Sequence, residues 1–199
     1  MRAVAPPPED EPSSRCPQSV SDDTVPVLGS PPAVDGKWRM VYSTGDVFRT
    51  TPGFWAVETG LRLSPQAAQS VFQFTDQVTA VDVRQSMYFI DLSAGTFESR
   101  IDVSVVPGVK ATLVTQCRAR PAPPNEVDLI VDRVHVERAS TPLAPLLNQV
   151  SVPLRALLEL AGGTGATRVS MRVVYLDRDI LVARSRPRGD LMVFQHVHG

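Results

Sequence analysis

The sequence predicts an all-β fold: an antiparallel barrel of about eight strands with one or two short helices. Three observations lead there. From Lys37 onward, apolar residues recur at every second position, the period of a strand with one buried face. Short, turn-rich loops join the runs, as antiparallel neighbours allow and parallel ones do not. Seven or eight such strands in an open sheet would leave two unpaired edges, and closure removes both. At 199 residues the chain is long enough to bury one sizeable core.

Residues 1–35 stand apart. Eight of the eighteen prolines fall within the first 36 positions, and six acidic residues (Glu9, Asp10, Glu11, Asp22, Asp23 and Asp35) face only Arg2 and Arg15. Proline removes backbone donors and fixes φ, so a disordered acidic tail is expected, followed by a single domain over 36–199. The first strand, Lys37–Ser43, should place Trp38, Met40 and Tyr42 on one face. Pro65–Phe74 has helical spacing after a proline suited to a first turn. In Thr96–Val106, Phe97, Ile101, Val103 and Val105 alternate with Glu98, Arg100, Asp102 and Ser104. Pro107–Gly108 is a hairpin turn signal before Val109–Arg120, whose inner set is Val109, Ala111, Leu113, Thr115, Cys117 and Ala119. Asn125–Glu137 carries Val127, Leu129 and Val131, then slips to Val134 and Val136, the mark of a β-bulge. Pro142–Ala161 reads as short helical turns ending at Gly162–Gly163. Val169–Leu176, Ile180–Ser185 and Asp190–Val197 then form an antiparallel meander.

Composition narrows the chemistry. Twenty basic residues against twenty-one acidic ones give a net charge of −1, without the basic excess that a nucleic-acid partner requires. No apolar run is long enough for a membrane-spanning helix, and Met1–Cys16 has no secretory apolar core. Cys16 and Cys117 make no disulfide framework and read as two free thiols. Gly162–Gly163–Thr164–Gly165 lacks the strand before it and the Gly-Lys-Ser/Thr after it that a phosphate loop needs. His196 and His198 share one strand face, but no carboxylate or cysteine stands beside them in sequence, so they read as solvated rather than metal-binding. Asp177 and Asp179 sit in a tight turn, where aspartate serves local hydrogen bonds. No catalytic set, metal site or cofactor is expected.

The aromatic residues say more. Trp38 is placed to plug one end of a small barrel, and Arg184, on a late strand, is the natural candidate to cover its ring. Phe48, Phe54 and Trp55 flank Pro52–Gly53 in an expected loop. They read either as a cap over the core or as an apolar lip at a cavity mouth or membrane surface.

These residues carry a family resemblance. The opening Gly36-Lys37-Trp38-Arg39-Met40-Val41-Tyr42-Ser43-Thr44, the block Phe48-Arg49-Thr50-Thr51-Pro52-Gly53-Phe54-Trp55, Phe72-Gln73-Phe74-Thr75-Asp76 with Gln85, and the closing Val174-Tyr175-Leu176-Asp177-Arg178-Asp179-Ile180-Leu181-Val182-Ala183-Arg184 follow in order. Together they resemble the plastid lipid-associated proteins, also called fibrillins or plastoglobulins, over about Asp35–Gln195. Leu181 departs from the arginine frequent there, and the acidic tail replaces both a helical preface and a transit peptide. The resemblance implies a lipocalin-like barrel at plastid thylakoids or plastoglobules that binds lipids or prenylquinones. Trp38, Tyr42, Tyr175, Asp177, Asp179 and Arg184 are its signature positions.

The expected function is therefore non-enzymatic binding of a hydrophobic small molecule, an acyl lipid or isoprenoid, with a peripheral membrane or lipid-body surface as a partner. Trp38, Tyr42, Phe48, Phe54, Trp55, Phe97, Ile101, Val103, Leu113, Leu129, Val131, Tyr175 and Arg184 are the candidate ligand-contacting residues. The inward set would serve a packed core equally well, since cavity and core share one alternation. The alternative is a coat or scaffold that docks a protein partner and holds no internal ligand. An enzyme would need convergent polar groups with perturbed pKa values, to which no residue pattern points.

Overall fold

A computed structural model describes residues 34–61, 82–106, 109–140, 144–149, 151–162 and 165–198. The expected tail (its residues 1–33), the helix at Pro65–Phe74 and the Pro107–Gly108 turn lie outside the described residues. The elements are β1 (Gly36–Ser43), a 3₁₀ turn (Phe48–Thr50), α1 (Pro52–Leu61), β2 (Asp82–Asp91), β3 (Thr96–Val106), β4 (Val109–Ala122) and β5 (Glu126–Glu137). Then come α2 (Ala144–Leu147), β6 (Ser151–Val152), α3 (Leu154–Gly162), β7 (Arg168–Leu176), β8 (Ile180–Ser185) and β9 (Leu191–His196).

Eight strands close into a ring in the order β4-β3-β2-β1-β9-β8-β7-β5, and β5 returns to β4. All neighbours are antiparallel, and the two-residue β6 is a spur on β5. The barrel-like all-β fold is thus the observed one. β5 closes the ring by pairing its first half with β7 while its whole length pairs with β4. The expected bulge in β5 is present: Gln116 lies opposite Arg133 and Cys117 opposite Val131, leaving Asp132 as the extra residue.

The centre of the ring is filled by Trp38, Tyr88, Phe97, Leu129, Met171, Leu181, Met192 and Phe194, each almost wholly buried. Tyr88 packs against Phe97 and Phe194 with ring centroids 5.0 and 4.7 Å apart. The folded unit begins earlier than position 36. Val34 is fully buried and its carbonyl accepts the Trp38 Nε1–H bond at 2.9 Å, while Asp35 Oδ1 accepts from the Leu92 amide at 2.6 Å.

Three expectations need correction. Tyr42 does not share a face with Trp38: Met40 pairs with Phe194 and Tyr42 with Val193, so Val41 is a bulged residue and Tyr42 turns outward. Phe54 and Trp55 lie in α1 rather than in a loop, and Phe48 starts the 3₁₀ turn. Arg184 does not cover Trp38; it points outward and donates from Nη1 to the Gly189 carbonyl. The ring beside Trp38 is His196, edge-on at 4.8 Å.

Candidate functional site

One mouth of the ring is plugged by the chain that follows β1. Asp46 Oδ1 accepts the Phe48 amide at 2.8 Å and starts the 3₁₀ turn. Thr51 is extended and caps α1 through its Oγ1, which accepts the Phe54 amide, and Pro52 takes the first helical position, where its missing N–H costs nothing. The plug is tied to the ring wall by the buried Tyr88 hydroxyl, which donates to the Thr50 carbonyl at 2.9 Å. Burial pushes the Tyr88 phenol far above its usual range, so it remains a neutral donor. Trp55 is fully buried beneath the plug, within the main core.

Between the plug and the wall lies an apolar recess of about 270 Å³. Phe48, Gly53, Phe54 and Val57 form one side; Leu113 and Thr115 of β4, Val134 of β5, Val152 of β6 and Leu154 of α3 form the other. Gly53 permits this closeness: a Cβ there would lie 3.0 Å from Thr115 Oγ1 and 3.2 Å from a Val134 methyl. Phe48 and Phe54 meet edge-on at 6.1 Å, and the Arg49 guanidinium lies 6.0 Å over the Phe54 ring, which puts a cation at the rim of an oily slot. Thr51 completes the lining, with its hydroxyl hydrogen bonded to the Phe48 carbonyl.

Of the thirteen sequence-derived candidates, Phe48, Phe54 and Leu113 come together here. Trp38, Trp55, Phe97, Leu129 and Val131 belong to the closed core, and Ile101 and Val103 are buried on the inner face of β3. Tyr42, Tyr175 and Arg184 lie outside, exposed. Sequence reading missed Thr51, Gly53, Val57, Thr115, Val134, Val152 and Leu154 as recess residues. Thr51–Pro52, an N-cap residue followed by proline, was the available signal that a helix rather than a loop brings Gly53 and Val57 to the wall.

Other features do different work. A groove of about 850 Å³ runs along the outside of β1–β5, but its charges neutralise one another: Glu98 accepts from Arg100 and Gln116, and Arg118 pairs with Asp132. Asp177 serves its turn as expected. Its Oδ1 accepts the Asp179 and Ile180 amides and its Oδ2 the Tyr175 hydroxyl, bonds that hold its pKa below the usual carboxylate value. The fold brings to the C-terminal histidines the carboxylate their sequence neighbourhood lacks: His198 Nε2 is 2.9 Å from Asp179 Oδ1, and the two Nδ1 atoms are 3.1 Å apart. Even so, no group of three metal-ligating residues converges among the described residues. Cys117 is a free, buried thiol. No helix among the described residues is long and apolar enough to cross a membrane.

No family model and no curated protein matches the chain.

Proposed function

We propose that this protein is a non-enzymatic binder of hydrophobic small molecules, of the prenylquinone or acyl-lipid class, working at plastid thylakoids or plastoglobules. The recess between Phe48–Phe54 and Leu113–Val134–Val152 is the observation that carries the binding reading. At about 270 Å³ it falls just below the range of sites that enclose a drug-sized ligand, so it suits a quinone ring or the end of a chain rather than a whole prenyl lipid. Burying such a group gains roughly 25 cal/mol per Å² of apolar surface. The plastid address is supported by the sequence resemblance.

Decyl-plastoquinone titrated into the full chain, followed by quenching of tryptophan fluorescence, tests the reading. Saturable uptake is expected, and Val152→Asp should weaken it at least tenfold by setting a carboxylate at the edge of an apolar slot. Val152 is part-exposed, so the variant should fold normally. Uptake that is absent, or unchanged in Val152→Asp, overturns the proposal. The filled centre of the ring favours a second reading, a coat or scaffold protein that docks on lipid bodies or on a partner enzyme without an internal ligand.

A further inference from the structure

The two bulges that turn tyrosines outward act on the same row of the ring. Cross-strand register runs Tyr42–Val193–Val182–Tyr175 through β1, β9, β8 and β7. In β7 the extra residue is Val174, between Val173 opposite Ala183 and Tyr175 opposite Val182. Three inter-strand steps make this row about 14 Å wide. Both its ends lie open, with Val41 and Tyr42 each 55% exposed and Val174 and Tyr175 39% and 44% exposed.

Arginines border the row. On one side Arg172 stands directly opposite Arg184, and like charges facing each other across strands oppose folding. Neither forms an ion pair with a described carboxylate; Glu126, opposite Arg172 on β5, is engaged by Arg186. On the other side Arg39, opposite Gln195, donates to that residue's amide oxygen and also lacks an ion pair among the described residues. Elsewhere Arg100, Arg118, Arg120 and Arg155 each have a carboxylate within 4 Å, and Arg84, Arg133 and Arg178, which have none among the described residues, stand singly rather than facing another arginine across a strand pair. The carboxylates nearest this face in sequence are engaged as well: Asp177 by the β7–β8 turn and the Tyr175 hydroxyl, Asp179 by His198 and Asp190 by Arg188.

We propose that this face docks on an anionic lipid surface, with Arg39, Arg172 and Arg184 on headgroup oxyanions and Tyr42 and Tyr175 at headgroup depth. Guanidinium groups pair with oxyanions through two parallel hydrogen bonds, and an oxyanion between Arg172 and Arg184 turns their repulsion into attraction. Tyrosine suits a boundary that is oily below and wet above. The inference deepens the surface-association part of the function proposed above, and it holds whether or not the recess takes a ligand.

Sedimentation of the full chain with vesicles of phosphatidylcholine, alone or mixed with phosphatidylglycerol, tests it. The protein should pellet with the mixed vesicles and stay in solution with the neutral ones. Arg172→Glu and Arg184→Glu should each weaken partitioning by at least about fivefold, the contribution of one cation near a charged membrane. Tyr42→Ala, which leaves every arginine in place, should weaken it as well. Lys110→Glu makes the same charge change on β4, away from this face, and should bind like the wild type. Absence of binding, equal binding to neutral vesicles, or an equal loss in Lys110→Glu overturns the proposal. Val152→Asp should pellet normally while losing quinone uptake, so a failure of the recess and a failure of the face are distinguishable.

Discussion

Cys117 lies buried on the inner face of β4, and loss of hydration pushes its thiol well above the ordinary value of 9.0. Tyr88 is displaced in the same direction from 10.0, again chiefly by burial. Both groups stay protonated in the folded chain at pH values where the unfolded chain releases its protons. Their contribution to stability is therefore complete below about pH 9 and is lost as pH rises beyond it, by up to about 1.4 kcal/mol per pH unit for each group. Urea unfolding measured between neutral and strongly alkaline pH should show this decline, and Cys117→Ala should make it shallower. A Cys16→Ser variant should give no reaction with a thiol reagent at neutral pH until denaturant opens the ring.

The short connections between elements rest on single side chains. The plug is joined to β2 by the bond from the Tyr88 hydroxyl to the Thr50 carbonyl, and Tyr88→Phe leaves that carbonyl buried without its donor. The expected loss is about 1–3 kcal/mol in urea unfolding, with the ring strands still formed by circular dichroism. At the β7–β8 turn, Asp177→Asn keeps an oxygen for the two backbone amides and loses the charge. Asp177 has a lowered pKa, first through the Tyr175 hydroxyl, so its ionised form adds stability above the ordinary value of 3.8 and loses it as pH falls below. The wild type should melt higher than Asp177→Asn at neutral pH, and the gap should close in acid.

Across the whole molecule the ring has no free edge among its eight strands, so no strand can leave without breaking two ladders. Trp38 sits beside the β1–β9 junction and Trp55 under the plug. Unfolding followed by their fluorescence and by far-ultraviolet circular dichroism should coincide in one transition.

The sequence made this architecture legible wherever alternation was clean, as in β3, in β4 and in the first half of β5. Its slip from Val131 to Val134 also exposed the β5 bulge, because the apolar period visibly broke there. β2 was hidden by Met87–Tyr88–Phe89–Ile90, an unbroken apolar run. Phe89 in it faces outward, held under Lys37 and Arg100 at 5.6 and 5.3 Å. The bulges in β1 and β7 were silent for the same reason: Met40–Val41–Tyr42 and Val173–Val174–Tyr175 have no polar residue to mark a change of face. The recess was half legible, since its aromatic side could be named, while its wall depends on which residues of β4, β5 and β6 the plug meets.

Val41 and Val174 each reset the phase of a strand for every residue beyond them. Deleting that valine, with no other side chain altered, would let the ladder run on evenly and leave Tyr42 or Tyr175 in its outward place, whereas straightening the strand with the valine kept would send the tyrosine into the oil and draw its neighbour out to water. Among proteins built on this plan, a one-residue gap at either point in an alignment thus marks a missing kink under an unchanged exterior, while a strand of equal length without the kink marks a wall turned inside out.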